Sequence, residues 1–138
     1  MQYMMLLFAD EKAGDTFSTE DMNRAMAIMG AYNETLRKAG AFVMTAPLMR
    51  SYDAKTVRAE GGKMELSSFT NEGGEMQVHD GPYADTREQL GGFYIIEAGS
   101  MDEAVQWASR CPAAQWGSIE VREIFKDFAD FGSLRGPA

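Results

Sequence analysis

One cysteine and one histidine among 138 residues narrow the available chemistry at once. Cys111 has no second cysteine to pair with, so no internal disulfide is expected and nothing points to an oxidising compartment. Zinc cannot be held by Cys and His alone with one of each. No D-x-D-x-D-G loop and no H-E-x-x-H helix occurs either, so neither a metal nor another cofactor is expected. Basic residues are also scarce: 13 Lys and Arg stand against 21 Asp and Glu, for a net charge of −8. A chain this acidic offers no concentrated basic face to displace counterions from phosphates, which argues against nucleic acid and against an anionic membrane surface as partners. No apolar run approaches the ~18 residues a membrane span requires. The opening "MQYMMLLFADEK" lacks a basic flank and a small-residue cleavage site, so it is expected to be a first β-strand of a cytoplasmic protein rather than a signal peptide.

What remains is the make-up of an ordinary soluble globule, 45% hydrophobic and 25% charged. The length suits one domain. Residues 1–125 are expected to form it, with 126–138 as a C-terminal tail.

The stretch "QYMMLLF" (Gln2–Phe8) has no polar alternation and reads as a strand buried on both faces. Ser18 and Asp21 form a capping pair ahead of Met22, Ala25, Met26, Met29, Asn33 and Leu36, which recur at helical spacing. That predicts a helix of about 20 residues ending near Ala39, with Gly40 as its C′ residue. Gly30 inside it either costs about 1 kcal/mol relative to Ala or marks a close crossing. The Met-rich stripe is expected to pack in the core or in a dimer contact. "AFVMT" (Ala41–Thr45) is a second strand closed by Pro47. "KTVRAEGGKMELSSF" reads as a hairpin with its tip at Gly61–Gly62, and the chain turns again at Gly73–Gly74. "FYIIEA" (Phe93–Ala98) is another strand apolar on both sides. "SMDEAVQWASR" is a helix with a full capping box, Ser100 to Glu103, ahead of Pro112, and "SIEVREIF" (Ser118–Phe125) alternates as a half-exposed strand. The order is β-α-β, an inserted hairpin region, then β-α-β. It specifies an α+β, ferredoxin-like βαββαβ fold with an extra hairpin.

Two helices cover only one face of such a sheet, yet the strands at 2–8 and 93–98 are apolar on both. A patch of that size is unusual on a monomer, so a second copy is expected to cover it, sheet against sheet. Space left between the sheets would suit a small ligand.

The candidate site lies in "HDGPYADTREQLGG". His79 is the side chain suited to general base work near neutral pH, and Asp80 beside it suggests an acid–base pair. Consecutive strand residues point to opposite faces, however, so a dyad requires the chain to have turned by Asp80. The alternatives are a strand-end His bonded locally and an Asp accepting backbone N–H groups as an Asx-turn. The segment from Asp85 or Thr86 to Leu90 suggests a short helical turn closed by Gly91–Gly92. Arg87 has a fork suited to a carboxylate, an internal one in preference to an anionic ligand. Tyr83 and Tyr94 could present hydroxyls to a cavity or serve as packing. Cys111 follows a helix C-terminus, where the dipole disfavours a thiolate, so it is not expected to be a nucleophile.

The run "HDGPYADTREQLGGFYIIEA", with "DEAVQWASRCPAA" and "SIEVRE", resembles the YCII-related proteins of the DGPF type. Here Tyr83 stands where Phe is commoner. The resemblance covers about residues 2–125 and implies a dimeric α/β-barrel of ferredoxin-like halves, bacterial in origin. A related YCII branch includes a chloromuconolactone dehalogenase whose proposed His–Asp pair uses a first-helix His and an Asp before the proline that follows the second helix. In this chain the first helix has no His and Cys111 precedes Pro112, so that chemistry does not carry over. The expected function is a homodimer holding a small organic acid at the dimer interface. If catalytic, it would perform cofactor-free lyase- or isomerase-like proton transfer, with His79 as base and Arg87 on the carboxylate. The alternative is a non-catalytic regulatory partner in an extracytoplasmic-function sigma factor system.

Overall fold

The computed structural model describes residues 1–65 and 70–131. The chain divides into two compact units, Met1–Leu48 with Arg87–Ala138, and Met49–Thr86.

The first unit is built on a four-stranded antiparallel sheet of β1 (Gln2–Ala9), β2 (Phe42–Pro47), β7 (Gln89–Glu97) and β8 (Gly117–Glu123), in the order β2-β7-β1-β8. Its helices are α1 (Glu11–Gly14), α2 (Thr19–Lys38), α3 (Met101–Arg110) and α4 (Phe128–Phe131). This is an α+β unit with antiparallel pairing throughout, compatible with the ferredoxin-like arrangement. The predicted caps close both long helices. The Ser18 side chain accepts from the Asp21 N–H, and α2 stops at Ala39 before Gly40, whose φ of 72° suits a residue without Cβ. At α3 the Ser100 hydroxyl accepts from the Glu103 N–H at 3.1 Å, while the Glu103 carboxylate reaches back to the Gly99 N–H at 2.7 Å.

Both long helices pack on one face of the sheet. Tyr3 and Met5 of β1 and Tyr94 and Ile96 of β7 meet Tyr32 and Leu36 of α2 and Ala104 and Ala108 of α3 in a single buried cluster. Leu36, fully buried, would cost about 2–5 kcal/mol if truncated to Ala. The methionine stripe behaves differently from its periodicity. Met22 and Met26 are exposed, and only the second half of α2 reaches the core, through Met29, Tyr32 and Leu36. Gly30 has open space where a Cβ would stand, so it marks no close crossing.

The predicted helical turn before Gly91–Gly92 is absent. Arg87 and Glu88 form a bend and Gln89 already belongs to β7, which carries both glycines. Non-local pairing overrides the local turn propensity there. The β1–β7 register shifts between Leu7 and Phe8, and a Cβ on Gly92 would lie 3.0 Å from the Ala46 carbonyl oxygen.

The second unit contains β3 (Lys55–Glu60), β4 (Lys63–Glu65), β5 (Thr70–Glu72) and β6 (Glu75–Asp80), after a 3-10 turn at Ser51–Asp53. Here the expected hairpin tip at Gly61–Gly62 is corrected. β3 does not fold back onto β4. It pairs with β6, Lys55 opposite Asp80 through Glu60 opposite Glu75, and β4 pairs with β5. The four strands thus form one long antiparallel arm, and Gly61–Gly62 and Gly73–Gly74 are the paired breaks between its two ladders. The residues joining β4 to β5, and the tail beyond Phe131, lie outside the described residues.

Candidate functional site

In the β3–β6 ribbon, pairing sets which side chains share a face. Thr56 with His79 and Arg58 with Gln77 lie on one side, while Lys55 with Asp80, Val57 with Val78 and Ala59 with Met76 lie on the other. Asp80 is the last strand residue, and the chain turns only at Gly81, where φ is 102°. His79 and Asp80 therefore point to opposite faces and form no dyad. The Asp80 carboxylate accepts from the Lys55 ammonium across the ladder rather than from backbone N–H groups of an Asx-turn. The turn is held instead by its backbone: the Gly81 N–H donates to the Ala54 carbonyl at 2.7 Å, and the Thr56 hydroxyl donates to the Gly81 carbonyl at 2.9 Å. His79 and Tyr83 are exposed.

In the sheet unit, Arg87 is exposed and makes no ion pair with a carboxylate among the described residues. Next to it, the Glu88 carboxylate accepts from the Ser118 hydroxyl at 2.6 Å, tying the start of β7 to β8.

Tyr94 stands on the helix side of the sheet. Its hydroxyl bonds the Asn33 side-chain oxygen, and its ring meets Tyr32 edge to face with centroids 5.7 Å apart. The Tyr32 hydroxyl donates to the Trp107 carbonyl at 2.6 Å, and the Thr45 hydroxyl to the Phe93 carbonyl at 2.9 Å. Burial pushes both tyrosine hydroxyls above their ordinary range, and it also pushes up the Cys111 thiol. Sequence reasoning placed Asn33 in the apolar stripe of α2 without a role. A polar residue at that spacing was the available signal for a buried partner.

The opposite face of the sheet carries Met4, Leu6 and Phe8 from β1, Phe93 and Ile95 from β7, and Met44 from β2, in register with one another. These side chains are half-buried or, for Met44, 51% exposed, and neither long helix lies over them. At the Gln2–Glu97 end of the sheet a groove of about 600 Å³ is lined by Gln2, Glu97, Glu123, Phe125, Lys126 and Asp130 together with Met1, whose ammonium group pairs with Glu97 at 3.3 Å. A second, more apolar cleft of about 400 Å³ lies against α3, lined by Met101, Val105, Ala108, Ile119 and Val121 among others.

The fold thus defines a small α+β protein with one helix-covered and one open sheet face, and no helix among the described residues is long and apolar enough to cross a membrane. Residues 1–128 match the model of the YCII-related domain, and the chain belongs to that family. It is also 34% identical over 126 residues to an uncharacterised protein of Rhizobium meliloti, an alignment spanning 90% of this chain and 92% of the relative.

Proposed function

We propose that the protein works as a cytoplasmic homodimer in which two open sheet faces meet as a dimeric α/β-barrel and leave a cavity for a small organic acid. The observation that carries this reading is the apolar face formed by Met4, Leu6, Phe8, Phe93, Ile95 and Met44, uncovered by α2 and α3. Exposed apolar surface of this kind marks an interaction site, and a space enclosed between two such faces is a natural ligand cavity. Arg87 supplies the anchor for a carboxylate. His79 is the base for cofactor-free proton transfer, with Tyr83 as a further polar contact. Tyr94, engaged by Asn33 on the helix side, has no part in this reading.

The test has two stages. Sedimentation of the full chain should give a dimer that Leu6→Lys converts to monomer, and a wild-type monomer at every concentration would refute the assembly. A panel of small carboxylic acids should then raise the melting temperature of the wild type but not of Arg87→Ala. If no acid does so, the ligand class is wrong.

A second reading, a non-catalytic binding partner such as one in a sigma factor circuit, is favoured by one observation. Asp80 is occupied by Lys55 and does not support His79 as a dyad would. Proton exchange into a bound acid that His79→Ala abolishes favours the enzyme. Binding without exchange in either protein favours the partner.

A further inference from the structure

Beyond β8, the segment "FKDFADF" places Phe125, Phe128 and Phe131 three residues apart, so one helical turn gathers their rings on one side. The turn is α4, where the Asp127 carboxylate accepts from the Ala129 N–H at 3.0 Å and the Asp130 N–H donates to the Asp127 carbonyl at 2.9 Å. Phe131 stands edge to face with Phe125 at 5.6 Å and stacks on Phe128 at 6.2 Å. Yet Phe125, Phe128 and Phe131 are 46%, 89% and 56% exposed, so the rings hold one another while the chain leaves them open to water. We propose that Phe125, Phe128 and Phe131 form a clasp that docks on a second copy of this chain. This rests on the homodimer reading above and extends it to a partner-binding element outside the sheet.

Area points to the second copy as the occupant. The apolar part of the open face spans three strands, because β8 presents Ser118, Glu120 and Arg122 there. Three strands about 4.8 Å apart and about 26 Å long give an apolar face of roughly 400 Å². A stable interface of ordinary size buries about 800 Å² per partner, polar surface included, and even with β8 counted the four-strand face spans only roughly 500 Å², so the face alone falls short. A phenylalanine buries roughly 150–250 Å² in all, so at 46%, 89% and 56% exposure Phe125, Phe128 and Phe131 still offer on the order of 300 Å² together, which makes up the shortfall.

Position agrees with area. Phe125 lines the groove with Met1, Gln2, Glu97 and Glu123, and Gln2 opposite Glu97 is one end of the β1–β7 ladder whose open side carries Met4 and Ile95. The Ile124 N–H donates to the Gln2 carbonyl at 2.9 Å, which holds the base of the clasp at the rim of the face. Because the rings already pack together, docking them orders few side chains, and little entropy opposes it.

The experiment is sedimentation velocity on the full chain over a concentration series, comparing wild type with the double variant Phe128→Ser, Phe131→Ser and with Phe128→Leu. The double variant should dimerise at least tenfold more weakly while its far-UV circular dichroism stays that of wild type, and Phe128→Leu should dimerise nearly as wild type does. A wild-type dimer with an equally tight double variant overturns the clasp and leaves the sheet-to-sheet dimer standing. A wild-type chain that stays monomeric overturns both.

Discussion

Lys55 and Asp80 face each other across the first rung of the β3–β6 ladder, ammonium to carboxylate, on the side of the ribbon opposite His79. Both side chains are more than half exposed, so solvent screens the pair and its net worth is at most about 1 kcal/mol. We expect Asp80→Asn to lower stability by no more than that, read from its urea denaturation midpoint. A loss of several kcal/mol would mean that the pair does more than an exposed ion pair can.

Three glycines should respond to alanine in three different ways. A Cβ at Gly117 would stand 1.9 Å from the Phe8 carbonyl oxygen, a backbone atom that cannot move without breaking the β1–β8 pairing. Gly117→Ala should therefore be among the rare substitutions costing more than about 4 kcal/mol. At Gly92 the approach to the Ala46 carbonyl is 3.0 Å, and Gly92→Ala should cost about 1–3 kcal/mol through small strand shifts. Gly30 is exposed with nothing near its missing Cβ, so Gly30→Ala should stabilise by about 1 kcal/mol through helix propensity. Urea denaturation midpoints of the three variants check the order, and equal effects would show that backbone clearance does not decide it.

Cys111 is buried at the end of α3 and its thiol is raised by desolvation, only partly offset by a backbone hydrogen bond involving Ala113. A thiol with so little thiolate and no access should react with a thiol-specific disulfide reagent only as fast as the protein opens. The labelling rate should therefore rise steeply with urea. Fast, urea-independent labelling at neutral pH would contradict the buried placement.

The Tyr32 and Tyr94 hydroxyls are raised from an ordinary value of 10.0, chiefly by burial. The folded state thus holds these protons more tightly than the unfolded state. Their stabilising effect is complete below about pH 10 and is lost as pH climbs above it. Stability measured by urea unfolding should fall from pH 10 upward, less steeply in Tyr94→Phe. Tyrosinate absorbance of the folded protein should show Tyr3, Tyr32 and Tyr94, all buried and raised, ionising only above the ordinary range until the chain unfolds. Simultaneous ionisation of all five without unfolding would refute the burial argument.

The parts legible in the sequence are those whose signals are local. Ser18 and Gly40 bracket α2 within a residue of the predicted ends, and Ser100 with Glu103 opens α3, because caps are written in neighbouring residues. The apolar strands β1 and β7 and the alternation of β8 were equally readable from side-chain pattern. The β3–β6 pairing was not, since glycine pairs at 61–62 and 73–74 announce a break in the chain without saying which strand returns to which.

The candidate site divides in the same way. Composition alone excluded a zinc site built from Cys and His, and strand periodicity set His79 and Asp80 on opposite faces unless the chain had turned by Asp80, which the strand running through Asp80 decided. Only the tertiary structure decided that Asp80 answers Lys55, that Tyr94 is turned toward α2 and Asn33, and that Gly91 and Gly92 belong inside a strand. Those outcomes depend on contacts between residues tens of positions apart, and no local propensity carries that information.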